Sequence, residues 1–207
     1  GSHGLQIARN TIHDWGRVSN NAALYLRDAQ KVAVHHNVVR NNAGAGVVLW
    51  NATATLLEHN TFRHNLQDDT GNGYAAELVA LQGSDNRARN NIVVPRDGRG
   101  VQAAIPQAFR GAPLEAAYNG YVLGTDGFLV EDLDQGLRFG FEAWQQAYGG
   151  DTGSLVVDDP GFVSDTDLHL RSSAGRWGGA AGWVLDADHS PFLDRGDPDA
   201  DASQEPF

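Results

Sequence analysis

Apolar residues in the first half of the chain recur in short alternating runs, and each run is tied to an asparagine. Asn10-Thr-Ile, Asn37-Val-Val, Asn60-Thr-Phe and Asn91-Ile-Val follow one another at steps of 27, 23 and 31 residues. Two positions after each Asn stands an apolar side chain (Ile12, Val39, Phe62, Val93), and five positions after it Asn returns at Asn42 and Asn65. Upstream of the Asn, Val32 and Val34 match Thr55 and Leu57; between units, Leu24 and Leu26 match Val47 and Leu49. Successive strand residues face opposite sides, so this spacing predicts strands of about three to five residues, punctuated by Gly, Asn and Asp turns.

Self-similarity at this length predicts a stacked architecture in which each coil buries its apolar face only against its neighbours. A coil of three such strands takes about 22 to 25 residues, and its strands lie parallel to those of the next coil about 4.8 Å away. The 23-residue step satisfies that length. The expected fold is all-β: a right-handed parallel β-helix over residues 5–96. Ile12, Leu24, Leu26, Val32, Val34, Val39, Val47, Leu49, Leu57 and Phe62 are its inward residues. The repeating Asn side chains should stack as a hydrogen-bonded ladder at one bend, a structural task rather than a chemical one.

Around that core, residues 1–4 read as a tag remnant and lead-in: Gly1-Ser2-His3 has the look of a cleaved tag, and a chain with no Met is expected to lack its native start. Residues 97–207 read as a continuation of the same domain, an irregular C-terminal capping section with an extended tail. Within it, residues 141–148 have the apolar spacing of a short helix that Gly149-Gly150 ends. Residues 155–157 and 168–170 are short strand candidates around the Asp159-Pro160-Gly161 turn. The third repeat is eight residues longer than the second, and the excess falls on the turn-rich stretch 67–74. Such an insertion sits on the surface of a solenoid and often walls a binding site.

Charge and composition narrow the function classes. The 207 residues include 15 basic and 26 acidic side chains, a net charge of −11. No basic stripe is available for nucleic acid, and an anionic membrane surface would repel the chain. No apolar run approaches the roughly 20 residues of a spanning helix, so membrane insertion is not expected. The absence of Cys removes disulfides, thiol chemistry and thiolate metal sites.

The Asn-x-apolar-x-x-Asn units resemble the secreted right-handed parallel β-helix proteins of the pectate-lyase-like superfamily. The later stretch is similar to the ending of many bacterial members: Tyr118-Asn119, Trp144, Gly150-Asp151, Ser154-Leu155, Asp159-Pro160-Gly-Phe162, Asp167-Leu-His-Leu170, Ser190-Pro191 and Asp194-Arg-Gly-Asp-Pro198. The resemblance covers nearly the whole chain. It implies a secreted or cell-surface protein whose partner is a polysaccharide or oligosaccharide. That superfamily spans polysaccharide lyases, glycoside hydrolases, epimerases and members without known activity, so the reaction stays open.

Stacking sets equivalent outward residues side by side. Two positions before the Asn the column reads Ala8, His35, Glu58, Arg89; one before it, Arg9, His36, His59, Asn90; three after it, His13, Arg40, Arg63, Val94. The His35–Glu58–Arg89 column reads as cross-strand charge pairing, or as a carboxylate orienting an imidazole for proton transfer. Arg40 above Arg63 is a like-charge stack that calls for an anion, from Asp14, Asp68 or Asp69 within the chain or from a uronate or sulfate outside it. A β-eliminating lyase needs a cation for the substrate carboxylate and a base for the adjacent proton. Arg40 or Arg63 with His36, His59 or His64 supplies both. A glycoside hydrolase needs two carboxylates, for which Asp68, Asp69 and Glu77 stand in or beside the insertion. The expected catalytic set is Arg40, Arg63, His36, His59 and Asp69, on the outer face of the second and third coils. Trp50, Tyr25, Arg27 and Glu77 are the expected substrate contacts. An exposed Trp50 beside Arg27 and Tyr25 would form a sugar-stacking platform; alternatively Trp50 lies under a loop. No cofactor or metal is expected. Asp68-Asp69-x-x-Asn72 and Asp197-x-Asp199-x-Asp201 offer oxygen ligands for Ca²⁺, but without the spacing of an EF-hand loop.

Overall fold

The computed structural model describes residues 4–15, 22–67, 74–96 and 105–200. Within them the chain winds through five coils of three strands. The first holds β1 (Gln6–Ala8), β2 (Thr11–His13) and β3 (Ala22–Arg27); the second β4 (Ala33–His35), β5 (Val38–Arg40) and β6 (Ala45–Thr53). The third holds β7 (Leu56–Glu58), β8 (Thr61–Arg63) and β9 (Ala76–Ser84); the fourth β10 (Arg87–Arg89), β11 (Ile92–Val94) and β12 (Ile105–Arg110). The fifth, β13 (Glu115–Ala117), β14 (Gly120–Tyr121) and β15 (Val130–Asp132), lies where the sequence repeat fades. The parallel coil therefore continues beyond Arg96 in space although its sequence signal does not.

Three sheets result. The first runs β1-β4-β7-β10-β13; the second runs β2-β5-β8-β11-β14 and adds β17 (Leu155–Val156). The third runs β3-β6-β9-β12-β15 and ends on β16 (Leu137–Phe139), which pairs antiparallel with β15. Registers match the repeat alignment: Ile12, Val39, Phe62, Val93 and Tyr121 are consecutive partners in the second sheet. Val34, Leu57 and Ala88 do the same in the first sheet, and Leu24, Val47 and Leu78 in the third. All ten predicted inward residues join one core cluster, Ile12 and Leu24 at its partly open first coil.

Asparagine fixes the corner between the first two sheets. Asn10, Asn37, Asn60 and Asn91 each donate both the backbone N–H and Nδ2 to the Oδ1 of the next Asn, at 3.0 Å in every case. Asn119 extends the ladder, and its N–H ends on Ser154 Oγ at 2.9 Å. The residue before each Asn holds a left-handed conformation, from Arg9 (φ 58°) through His36, His59 and Asn90 to Tyr118 (φ 53°). A side chain pays in strain for that backbone, and the satisfied amides hold it there. A second ladder at the next corner runs from Asn42 to Asn65 and ends on Glu77.

The C-terminal section closes the open end. Helix α1 (Phe141–Tyr148) buries Trp144, stacks Tyr148 on it, and stops at Gly149 in a left-handed turn. Trp144 Nε1, Tyr121 Oη and Ser154 Oγ all donate to the buried Asp151 carboxylate, at 2.9, 2.7 and 3.0 Å. Beyond β17, residues 168–170 contribute one bridge, Phe162 to Leu170, rather than a strand. A short antiparallel hairpin of β18 (Arg176–Trp177) and β19 (Trp183–Val184) follows. No helix among the described residues is long and apolar enough to cross a membrane.

Phe62 is fully enclosed between Val39 and Val93. Phe62→Ala should lower the unfolding free energy by about 3–5 kcal/mol in chemical denaturation; a loss under about 1 kcal/mol would contradict its place in the core.

Candidate functional site

Arg40 and Arg63 are register partners at the outer end of the second sheet, as the repeat alignment requires. Arg63 is nonetheless only 8% exposed. Among the described residues its anion is not Asp14 but Asp165 of the capping section, 102 residues away in the chain. Arg63 Nη2 donates to Asp165 Oδ1 at 2.5 Å and Nη1 to the Asp165 carbonyl at 3.1 Å. Arg40 forms no ion pair with a described residue.

Local turn chemistry places Asp165. The Gly161 N–H donates to Asp159 Oδ1 at 2.8 Å, and Gly161 takes φ 73°, which turns the chain back over the second sheet. Ser164 Oγ then accepts the N–H of Asp167 at 3.0 Å. Arg171 braces the turn from behind, reaching Asp159 at 2.8 Å and Asp188 at 3.4 Å.

Between this returning segment and the ends of β8, β11 and β14 lies a cleft of about 630 Å³. Val94, Pro95, Val122 and Leu123 form one side; Asp158, Asp159, Phe162, Ser164 and Asp165 form the other, with Arg63 and His64 at one end. Three carboxylates face one guanidinium whose two terminal nitrogens are already engaged. The cleft is therefore net acidic and mixed in polarity, suited to hydroxyl-rich ligands and hostile to polyanions.

His36 and His59 lie elsewhere. They occupy left-handed positions at the Asn corner, at the opposite end of β5 and β8 from Arg40 and Arg63. Their rings lie 5.0 Å apart between centroids, tilted by 33°. His35 Nδ1 is 2.9 Å from His36 Nδ1, and Asn90 Nδ2 is 3.1 Å from His59 Nε2. Burial and the neighbouring His36 lower the His35 pKa, against the opposing pull of Glu58. The tail seals this corner: the Asp197 N–H donates to Asn90 Oδ1 at 2.7 Å, and its carboxylate faces Arg89 at 3.5 Å. The structure thus separates the predicted catalytic set into a histidine corner and an arginine column; of the expected histidines only His64 borders the cleft.

A family model described as a right handed beta helix region matches residues 1–107, just over half the chain. The chain belongs to the right-handed β-helix family. No curated protein and no solved structure gives a significant match.

The remaining candidates sit on the third face of the β-helix or inside it. Arg27 and Trp50 are register partners on β3 and β6, and Tyr25 stands opposite Val48. Trp50 is half-buried against an outer apolar cluster of Val48, Val79 and Leu81, so it lies in packing rather than on an open platform. Glu77 is fully buried, and both its oxygens accept from Asn65, the backbone N–H at 2.9 Å and Nδ2 at 2.6 Å. A contact with a polysaccharide on the outer face is closed to it; the sequence suggested an exposed carboxylate because Glu77 follows a polar insertion. Asp68 and Asp69, with the first Ca²⁺ candidate, lie outside the described residues, as does Asp201 of the second. Asp197 is already committed to Arg89, and among the described residues no group of three His, Asp or Glu is arranged for a metal. Asp158, Asp159, Phe162 and Asp165 were missed as site residues, because the Asp-Pro-Gly signal announced a turn but not which coil it would face.

Burial pushes the Glu77 carboxyl up to about 8, while the Asn65 hydrogen bonds oppose the shift. Between its ordinary value and about 8 the folded state keeps a proton that the unfolded state has released, so stability falls as pH rises through that window. The loss should reach a few kcal/mol by about pH 9. Glu77→Gln, less stable at acidic pH because one Asn65 donor loses its acceptor, should flatten the dependence. Melting temperatures of both proteins from about pH 5 to pH 9 provide the check; parallel profiles would refute the assignment.

Proposed function

We propose that this β-helix protein engages an uncharged polysaccharide or oligosaccharide in the cleft between its second sheet and its C-terminal section. The observation that carries this reading is the Arg63–Asp165 pair. It neutralises the cation that a uronate would need and leaves two more acids along the same cleft, Asp159 braced by Arg171 and Asp158 without an ion pair among the described residues. Paired carboxylates are the equipment of glycoside hydrolysis, one protonating the leaving oxygen and the other acting as base or nucleophile. Hydrolysis of a neutral glycan therefore stands ahead of β-elimination, with Asp158 and Asp165 as the acid–base candidates. The resemblance to secreted bacterial members of the pectate-lyase-like superfamily supports a setting outside the cell.

A lyase reading is retained for one reason. Arg40 stands next to Arg63 without an ion pair among the described residues, so one outward cation is available for a uronate carboxylate.

Neutral and uronate polymers separate the two. New reducing ends from a neutral polymer, without the ultraviolet absorbance of an unsaturated uronate end, support hydrolysis; that absorbance on polygalacturonate would replace the present reading with the lyase. Asp165→Ala should release the Arg63 charge and strengthen polygalacturonate binding on the order of tenfold, while the melting temperature falls measurably, because the buried Arg63 loses its carboxylate and keeps only the carbonyl of residue 165. Unchanged binding would show that the pair does not exclude polyanions.

A further inference from the structure

The β18–β19 hairpin carries an exposed apolar face that the cleft does not use. Trp177 and Trp183 are direct cross-strand partners, and Leu185 lies two residues beyond Trp183. Alternation puts all three on one face of the ribbon. They are 66%, 66% and 67% exposed.

The opposite face is anchored. Arg176 Nε and Nη2 donate to the two oxygens of Asp186 at 2.8 and 3.2 Å, and Asp186 also accepts the Ser172 N–H at 2.9 Å. Gly175, at φ 108°, lies directly under Trp183; a methyl group there would collide with the indole nitrogen. The Trp183 ring is thus seated by a residue without a side chain. Each presents its own surface on a braced support. The support is joined to the cleft, because Arg171 holds Asp159 of the cleft with one nitrogen and Asp188, just past the hairpin, with another.

We propose that the Trp177–Trp183 face is a second glycan-binding platform, on which pyranose rings of an uncharged polysaccharide stack while the chain extends to the cleft. The proposal rests on the polysaccharide reading above. Size separates this occupant from others: the three side chains expose roughly 400 Å², about half of what one partner contributes to a stable protein interface. Charge separates it too. Asp165, Asp167 and Asp188 belong to the same section of a chain with net charge −11, which disfavours anionic membranes and sulfated or uronate polymers. Tryptophan suits sugars because its large, rigid face costs little conformational entropy to place against a flat ring.

The test is affinity electrophoresis of the full chain through gels containing hydroxyethylcellulose, galactomannan or dextran, with polygalacturonate as the anionic control. Wild type should be retarded by at least one neutral polymer. Trp177→Ala and Trp183→Ala should each weaken that retention on the order of tenfold in Kd. Leu185→Ala, on the same face, should stay within about twofold of wild type. All three should keep the wild-type melting temperature, since they remove exposed groups. Undiminished retention of the Trp177→Ala/Trp183→Ala double variant would overturn the platform and leave the cleft reading intact. An equal loss in Leu185→Ala would overturn it in favour of a nonspecific apolar contact. A dimer of the wild type that the Trp variants convert to monomer, with glycan retention unchanged, would assign the face to a second copy. No retardation of wild type by any neutral polymer would remove both the platform and the function on which it rests.

Discussion

The stacked asparagine amides are the constraint on which the rest of this molecule depends. Each corner between the first two sheets requires a residue in the left-handed region followed by an Asn, whose amide is buried from the second coil on. Neither is favourable alone. A buried amide with both hydrogens and its oxygen engaged costs little, whereas one left unmade costs the full desolvation penalty. Asn meets the demand because its oxygen takes two donors from the coil before while its nitrogen reaches the next coil's oxygen and two backbone carbonyls. Once that corner is repeated, coil spacing, strand register and the alternation of inward and outward residues are fixed together.

The same repetition creates the problem that the surface has to resolve. Stacking brings Arg40 against Arg63 and His36 against His59 at the spacing of neighbouring strands. A solenoid also ends in an open coil whose core faces and strand edges need cover. Both needs are met by the C-terminal section. Its Asp151 gathers donors from Tyr121, Trp144 and Ser154 under the last coils, its Asp165 satisfies Arg63, and its Asp197 closes the histidine corner. The cleft is a by-product of this closure, formed where the returning chain crosses the second sheet without lying flat on it.

Buried polar groups play two different parts in this arrangement. Asp151 is surrounded by hydroxyl and indole donors, yet burial still raises its pKa, so the network tolerates a carboxyl that gives up its charge reluctantly. Glu77 ends the second ladder with an acceptor pair where another Asn would have offered one oxygen, and its raised pKa is the cost of putting a carboxyl in that enclosed place. Neither acid reaches solvent. Their work is to finish ladders, which separates them from the cleft acids that face open space.

Sequence alone determined the coil. The Asn spacing, the apolar residue two places on and the period-two strands located the ladder, the registers and the ten inward residues, because in a solenoid each residue's environment is set by its own position in the repeat and by its counterparts one coil away. Helix α1 was legible for a similar reason, its apolar face and terminal Gly being local signals. The fifth coil was not, since Tyr121 and Ala116 fill inward positions without the Val, Ile and Leu that mark the earlier strands. Tertiary structure alone decided the site. Outward residues carry no periodic constraint, so the sequence gathered His36, His59, Arg40 and Arg63 into one set although a strand's length separates the two pairs. It also left Trp50 open between an exposed platform and a packed position, which the neighbouring apolar cluster decides, and offered Glu77 as a substrate contact where the ladder encloses it. Arg63 meets Asp165 only because a turn at Gly161 folds the capping section back across the sheet, and a contact between residues 102 positions apart is written in no local pattern.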